Sequence, residues 1–245
     1  MAIQLQSSAV LSKVHGVKVI VYSRAGMGKT SLCATAPSPV VCSAESGLLS
    51  LRPENITRMF GANVPGISYN LPIIEINTLQ DLVEVERWAA TSSEAKQFET
   101  ICLDSITEIG EKILTNAKQQ VKDPRQAYGE LIEKAIATIK SFRDLRGYNV
   151  YMAAKEERVK DEGTGATLAG PSMPGQKAGP AMPYLYDEVF NLNIGRDAQQ
   201  RSYRYLRTQP DFNYDAKDRS GALEEIEVPH LGYIFAKIMG TQQPT

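Results

Sequence analysis

The sequence predicts a single α/β domain, with a mainly parallel central sheet flanked by helices and antiparallel strands near the C-terminus. Three observations point there. From residue 17 to residue 154, short apolar, β-branched runs alternate with helix-period segments, as strand–helix–strand units do. The first run ends in a turn of small residues and glycines that opens directly into a helical pattern. Beyond residue 185, two stretches alternate apolar and polar residues around a Gly-Arg-Asp turn, the pattern of antiparallel strands. A chain of 245 residues has enough sequence for one large domain with a core on both faces of its sheet.

Composition excludes several classes. With 42% hydrophobic and 22% charged residues the balance is that of an ordinary globular protein. A net charge of −1 and a pI near 6.2 create no global field for nucleic acid, so any such contact must come from a local basic patch. Cys33, Cys42 and Cys102 lack metal-type spacing and read as buried small hydrophobes in a reducing compartment. No apolar stretch is long enough to span a bilayer, and residues 1–13 carry no signal-peptide pattern. A soluble, cytoplasmic protein is expected.

Residues 1–16 are polar and weakly patterned; Ile3, Leu5 and Ala9-Val10-Leu11 suit either a short edge strand or a segment that docks on a neighbouring subunit. Val17 to Tyr22 is the first strand, and a helix covers about Lys29 to Thr35 before Pro37 ends it. Between them runs Ser23-Arg24-Ala25-Gly26-Met27-Gly28-Lys29-Thr30-Ser31. Glycines at 26 and 28 let the backbone curl so that successive N–H groups face an anion. The helix N-terminus adds its positive dipole end at the same spot. Lys29 can reach the β- and γ-phosphates of a nucleotide, and the Thr30 hydroxyl can ligate Mg2+. This is the P-loop pattern, Gly-x4-Gly-Lys-Ser/Thr, with Ser23 in place of its first glycine. The bland alternative is a chance Gly-Lys-Thr on a structural turn. The preceding strand, the following helix and two partner motifs downstream weigh against it, and ATP binding is expected.

Pro39 to Ala44 is a second buried strand, ending in Glu45-Ser46-Gly47. A carboxylate at the end of a strand beside the phosphate site can polarise an attacking water; Glu45 fits that role and a solvated loop equally well. Ile73 to Ile76 is a third short strand. Leu79, Leu82, Val83, Val85 and Trp88 mark an amphipathic helix with Asn77 or Thr78 as its N-cap. The second partner motif is Phe98 to Ser105, a hydrophobic strand that delivers Asp104 at its end, the Walker B arrangement for Mg2+. A helix follows from about Ile106 to Val121. Lys122 to Gln126 breaks it, and a second helix runs from about Ala127 to Arg146 with Leu131, Ala135, Ile139 and Phe142 on its apolar face. Tyr148 to Ala154 is another core strand, expected between the P-loop strand and the Asp104 strand, and it ends at Lys155.

From Glu156 to Pro183 the composition turns to Gly, Pro, Ala and Ser, with Arg158, Lys160 and Lys177 partly offset by Asp161 and Glu162. A structureless loop of that length is either functional or disordered. Tyr186 to Asn193 and Arg201 to Thr208 are the antiparallel strands, with Gly195-Arg196-Asp197 as the turn. Asp211 to Gly221 is polar and turn-rich, His230 to Met239 reads as a closing helix, and 240–245 as a flexible tail. The folded domain is therefore expected over 17–239.

Taken together, Ser23 to Thr30, Ala44-Glu45-Ser46-Gly47 and Leu103-Asp104-Ser105 resemble a RecA-type ATPase core. The match is nearest to the small, core-only phage branch of Sak-type single-strand annealing ATPases, which Asp123-Pro-Arg-x-x-Tyr-Gly129 also resembles. The resemblance implies that 23–31 bind the nucleotide, that Thr30 and Asp104 support Mg2+, and that Glu45 is the general base. It implies DNA contacts from two loops, with Arg125, Arg158, Lys160 and Lys177 as candidates. It also implies a homo-oligomer, filament or ring, in which a cation on a late strand completes a neighbour's site; Arg204 and Arg207 lie on such a strand. Lys155 stands where those proteins carry a polar amide that senses nucleotide. The function so implied is an ATP-dependent, single-stranded-DNA-binding recombination protein of a phage, helped in the host cytoplasm by a single-strand-binding protein. The alternatives are a P-loop kinase of a small molecule and an ATP-controlled assembly switch that binds no DNA.

Overall fold

Each apolar run becomes a strand because both faces of the sheet are covered, which favours apolar side chains on both sides of such a strand. The computed structural model describes residues 14–45, 48–118, 124–160, 165–174 and 178–241 together with Leu5 and Ser7, with the backbone alone at 117–118, 124–128 and 178–180. The first half of the described chain runs β1 (Lys18–Ser23), α1 (Lys29–Leu32), β2 (Pro39–Ser43), α2 (Pro53–Phe60), β3 (Ile73–Glu75), α3 (Leu79–Thr91), β4 (Thr100–Asp104) and α4 (Ile106–Lys118). The second half runs α5 (Pro124–Asp144), β5 (Asn149–Lys160), β6 (Thr167–Pro171), α6 (Ala178–Leu185), β7 (Glu188–Arg196), β8 (Ser202–Arg207), β9 (Lys217–Asp218), β10 (Ile226–Glu227) and α7 (Leu231–Met239).

The sheet order is β10-β8-β7-β1-β5-β4-β2-β3. The strands from β7 to β3 are parallel, whereas β8 and β10 run antiparallel at one edge. As expected, β5 lies between the P-loop strand and the strand that ends in Asp104. Alternation along β1 sends Ile20 and Tyr22 to one face and Val19 and Val21 to the other. The first face is closed by Leu82 and Val85 of α3, Ile106 and Ile109 of α4, and Ile139 and Phe142 of α5. The second is closed by Leu32 of α1, Ile56 of α2, and Leu231, Ile234 and Phe235 of α7. All parallel strands therefore point their C-terminal ends at one edge, where the P-loop, Glu45 and Asp104 gather.

Four expectations are corrected. Glu156 to Pro183 is not a structureless loop: β5 continues to Lys160 and β6 pairs back on it, from Glu156↔Pro171 to Lys160↔Thr167, and α6 follows. The continuation carries charged side chains on both faces because it projects beyond the helices into solvent. The helix α5 starts at Pro124, inside the expected break, because proline at a first helical position loses no hydrogen bond. The turn between β7 and β8 begins later than Gly195: Gly195 and Arg196 still pair with Tyr203 and Ser202, and Asp197 closes the turn by accepting from the N–H groups of Gln199 and Arg201. Finally, α2 is an element that hydrophobic periodicity did not reveal, with only Ile56 buried.

Candidate nucleotide site

The P-loop is built by two left-handed glycines, Gly26 at φ 76° and Gly28 at φ 103°, conformations that a side chain would strain. Gly28 caps α1, so the backbone N–H groups of the first turn open toward the strand ends. Tyr151, fully buried on β5, donates its hydroxyl to the Lys29 carbonyl at 2.8 Å and holds that turn against the sheet. Ser23, in the first-glycine position, is buried at the end of β1 and donates its hydroxyl to the Arg24 carbonyl. The Lys29 Nζ donates to the Ser23 carbonyl (2.9 Å), the Ser23 hydroxyl (3.1 Å) and the Arg24 carbonyl (3.2 Å). These are neutral acceptors, while burial lowers the Lys29 pKa and the nearby carboxylates of Asp104, Glu45 and Glu156 oppose that shift. The amine is thus held inside the loop it would serve. Ser31 is buried behind it on α1.

Asp104 ends β4 opposite Ser43 of β2, with 1% of its surface exposed. Burial pushes its carboxyl up to about 6; the Thr30 hydroxyl bonded to it pulls the other way, and the Glu45 charge adds to the rise. Its Oδ2 is buried without a hydrogen-bond partner. A desolvated carboxylate oxygen with nothing to bond, next to a threonine hydroxyl at a helix start, is a donor set suited to a hard divalent cation and its water. The residues present therefore fit Mg2+. Glu45 is exposed just past β2, its N–H donating to the Ser43 hydroxyl, and it lies near enough to act on both Lys29 and Asp104. Of the segment that follows it, Ser46 and Gly47 lie outside the described residues.

A glycine-shaped turn and a caged lysine thus lie at the end of β1, and a buried aspartate at the end of β4, with β5 between them in the parallel sheet. The family model described as an AAA domain (AAA_24) matches residues 15–220. The chain belongs to that family. The strand-end cradle is the candidate nucleotide site of this AAA-type ATPase domain. No curated protein matches the chain in sequence. Among solved structures, the flagellar accessory protein FlaH from Methanocaldococcus jannaschii is similar with a TM-score of 0.45 and 11% identity, over 87% of this chain and 84% of that one.

Around the AAA-domain cradle the remaining candidates separate. Arg204 on β8 donates from Nε to the Met27 carbonyl at 2.8 Å, so it sits on the P-loop of its own chain. Arg207, three residues on, pairs with Glu225 (2.8 Å) and Asp211 (3.4 Å) and is only 16% exposed. Strand alternation explains the split: Arg204 shares a face with buried Leu206, on the α1 side of the sheet, and Arg207 faces away. Lys155 pairs with Glu108 and Glu111 of α4, each at 2.7 Å. Arg158 and Lys160 are exposed on the hairpin; Arg158 pairs with Glu156 at 3.2 Å and lies 6.0 Å from the Tyr214 ring centroid. Arg125 falls in the first turn of α5 with its side chain outside the described residues, and Lys177 is outside them altogether. Tyr151 and Thr107 were not legible as site residues, since a tyrosine in a core strand and a threonine in a first helical turn carry no motif. Among the described residues no helix is long and apolar enough to cross a membrane.

Proposed function

We propose that this AAA-type domain hydrolyses ATP in response to single-stranded DNA and serves recombination of the phage type, in annealing or strand exchange, as a homo-oligomer in a filament or ring. The observation that supports the coupling is the base of the β5–β6 hairpin. Thr107, three residues after Asp104, donates its hydroxyl to the Ser172 carbonyl (2.7 Å) and accepts from the Lys155 N–H (3.0 Å). A hairpin carrying Arg158 and Lys160 is thus tied at both of its feet to the helix that begins beside the cation-binding aspartate. Phosphates of a single strand laid along that hairpin would bias the position of α4, and with it Asp104.

In the reaction, Glu45 takes a proton from a water whose oxygen attacks the γ-phosphorus. The bond from that phosphorus to the β–γ bridging oxygen breaks, giving ADP and inorganic phosphate. Lys29 and the backbone N–H groups of 26–30 hold the phosphates in line. Thr30 and Asp104 would hold Mg2+, which would supply neutralisation of the phosphate charge. Glu45→Gln should keep ATP binding and lose hydrolysis.

The test is ATP hydrolysis with and without single-stranded DNA across a salt titration. Stimulation that fades as salt rises is the expected result, because each phosphate contact contributes about 0.7 to the salt slope for single strands. Hydrolysis indifferent to DNA would overturn the DNA reading and leave the ATPase standing. Transfer of the γ-phosphate to an acceptor other than water would identify a kinase.

A further inference from the structure

In the resemblance to RecA-type assemblies, a late-strand cation serves the neighbouring subunit's nucleotide. The geometry around Arg204 differs. Its Nε donates to Met27 O at 2.8 Å, between the two left-handed glycines that shape the phosphate cradle. The approach is close enough that a Cβ placed on Gly28 would lie 3.6 Å from that Nε and 3.9 Å from the Arg204 Cδ. The side chain reaches the loop because β7 sits next to β1 and β8 next to β7, with Tyr22 opposite Asn191 and Ile194 opposite Arg204. Arg204 therefore stands two strands from β1 and beyond the level at which β1 ends, the height of the P-loop. A guanidinium carries five N–H donors, and the Met27 contact uses one. The rest of the group stays exposed at the rim of the cradle.

Resting on ATP as the ligand of this P-loop, we propose that Arg204 acts in cis: it binds a phosphate of the nucleotide held by its own subunit and does not complete a neighbour's site. Arg207 does not take over the role across an interface, since it is committed to Glu225 and Asp211 on the far face of the sheet. The β7–β8 hairpin would then report nucleotide occupancy within one protomer, because the contact that tethers Arg204 to Met27 and the contact to phosphate belong to one planar group.

Two measurements on the full chain decide it. The first is the affinity for a fluorescent ATP analogue with Mg2+, at a protein concentration where light scattering gives the mass of one protomer. Arg204→Ala should weaken binding roughly 10- to 100-fold, the range for losing a hydrogen bond to a charged group, and Arg204→Lys should recover part of it. The second mixes Arg204→Ala protein with Lys29→Ala protein, whose P-loop lacks its amine but whose Arg204 is intact. A residue acting in cis gives no hydrolysis beyond the sum of the two alone. A residue acting in trans would restore it, as the Lys29→Ala subunits lend their arginine. Unchanged affinity in the single protomer, or recovery on mixing, overturns the inference. If the wild-type chain binds ATP without turning it over, the hydrolysis reading fails separately and the binding measurement still decides the role of Arg204.

Discussion

Two buried carboxylates show how differently one chemical group is used in this molecule. Asp104 is kept from water with one oxygen unpartnered, and its carboxyl is pushed up to about 6, so near neutral pH the chain holds an ionised group it has not solvated. A folded-state pKa above the unfolded one means that stability is full below about pH 4 and is lost as pH rises to about 6; it stays lost above that. Asp104→Asn keeps the shape and removes the charge. Without nucleotide or divalent cation it should raise stability by on the order of 1–3 kcal/mol, measured by urea unfolding at pH 7.5, and it should abolish Mg2+-dependent hydrolysis. Glu188 on β7 is buried against Asp218, with Asp187 also near, and burial pushes it up to about 8. It accepts from the Ser220 N–H at 3.2 Å, and its other oxygen is unpartnered. Its protonated form is the stable one, so its contribution is complete below about pH 4.5 and drains away as pH climbs through 8. Glu188→Gln keeps a donor toward Asp218 and should flatten the pH dependence of stability between pH 5 and 8, where wild type loses up to about 1.4 kcal/mol per pH unit from this group.

Elements were legible where one physical rule dominated their local sequence. Thr78 caps α3 through a complete capping box, its hydroxyl accepting from the Asp81 N–H while Asp81 accepts from the Thr78 N–H. Thr78→Ala should cost about 1 kcal/mol in urea unfolding and leave hydrolysis alone, since the cap is remote from the P-loop. That helix, and the strands of the parallel sheet, could be read because buried faces impose a period on apolar residues. The helix α2 has eight residues, of which Ile56 is the buried one, too short a stretch for an apolar face to stand out; its signals were Pro53 at the first position and Gly61 just past the end. The outer half of β5 failed for the opposite reason. Glu157 to Lys160 sit in a strand whose side chains meet solvent, and Val159 opposite Leu168 is the apolar pair left to mark it, each more than a third exposed. Of the candidate site, Lys29, Thr30, Asp104 and Glu45 stood out in the sequence because backbone geometry and chemistry restrict those positions together, and the structure gathers them at one edge of the sheet. The partners of Arg204 (the Met27 carbonyl), Arg207 (Asp211 and Glu225) and Lys155 (Glu108 and Glu111 of α4) did not, because contacts between distant elements depend on strand register and helix placement, which the core sets rather than the charged residues themselves.

For the whole molecule, the decisive quantity is where so little net charge is spent. The chain carries 27 basic and 28 acidic residues, so it has no long-range attraction for a polyanion, and DNA affinity must come from a few contacts that survive their own acidic neighbours. On the hairpin, Glu156 already pairs with Arg158, and Glu157 lies beside it. Arg158 must therefore exchange a carboxylate for a phosphate, which gains less than a free guanidinium would; Lys160 is exposed at the end of β5 and, among the described residues of β5 and β6, pairs with no carboxylate. The two cations should then be unequal in affinity yet equal in salt slope, since the slope counts phosphates neutralised and not the strength of each contact. Lys160→Ala should weaken binding of a single strand more than Arg158→Ala, while each lowers the log–log salt slope by about 0.7 and the double variant by about 1.4. Fluorescence anisotropy of a labelled oligonucleotide between 50 and 200 mM salt, about the range over which phosphate contacts show their slope, measures both quantities. Slopes that stay at the wild-type value in the double variant would remove the hairpin from the DNA path, and with it the mechanical link from Thr107 to the strand.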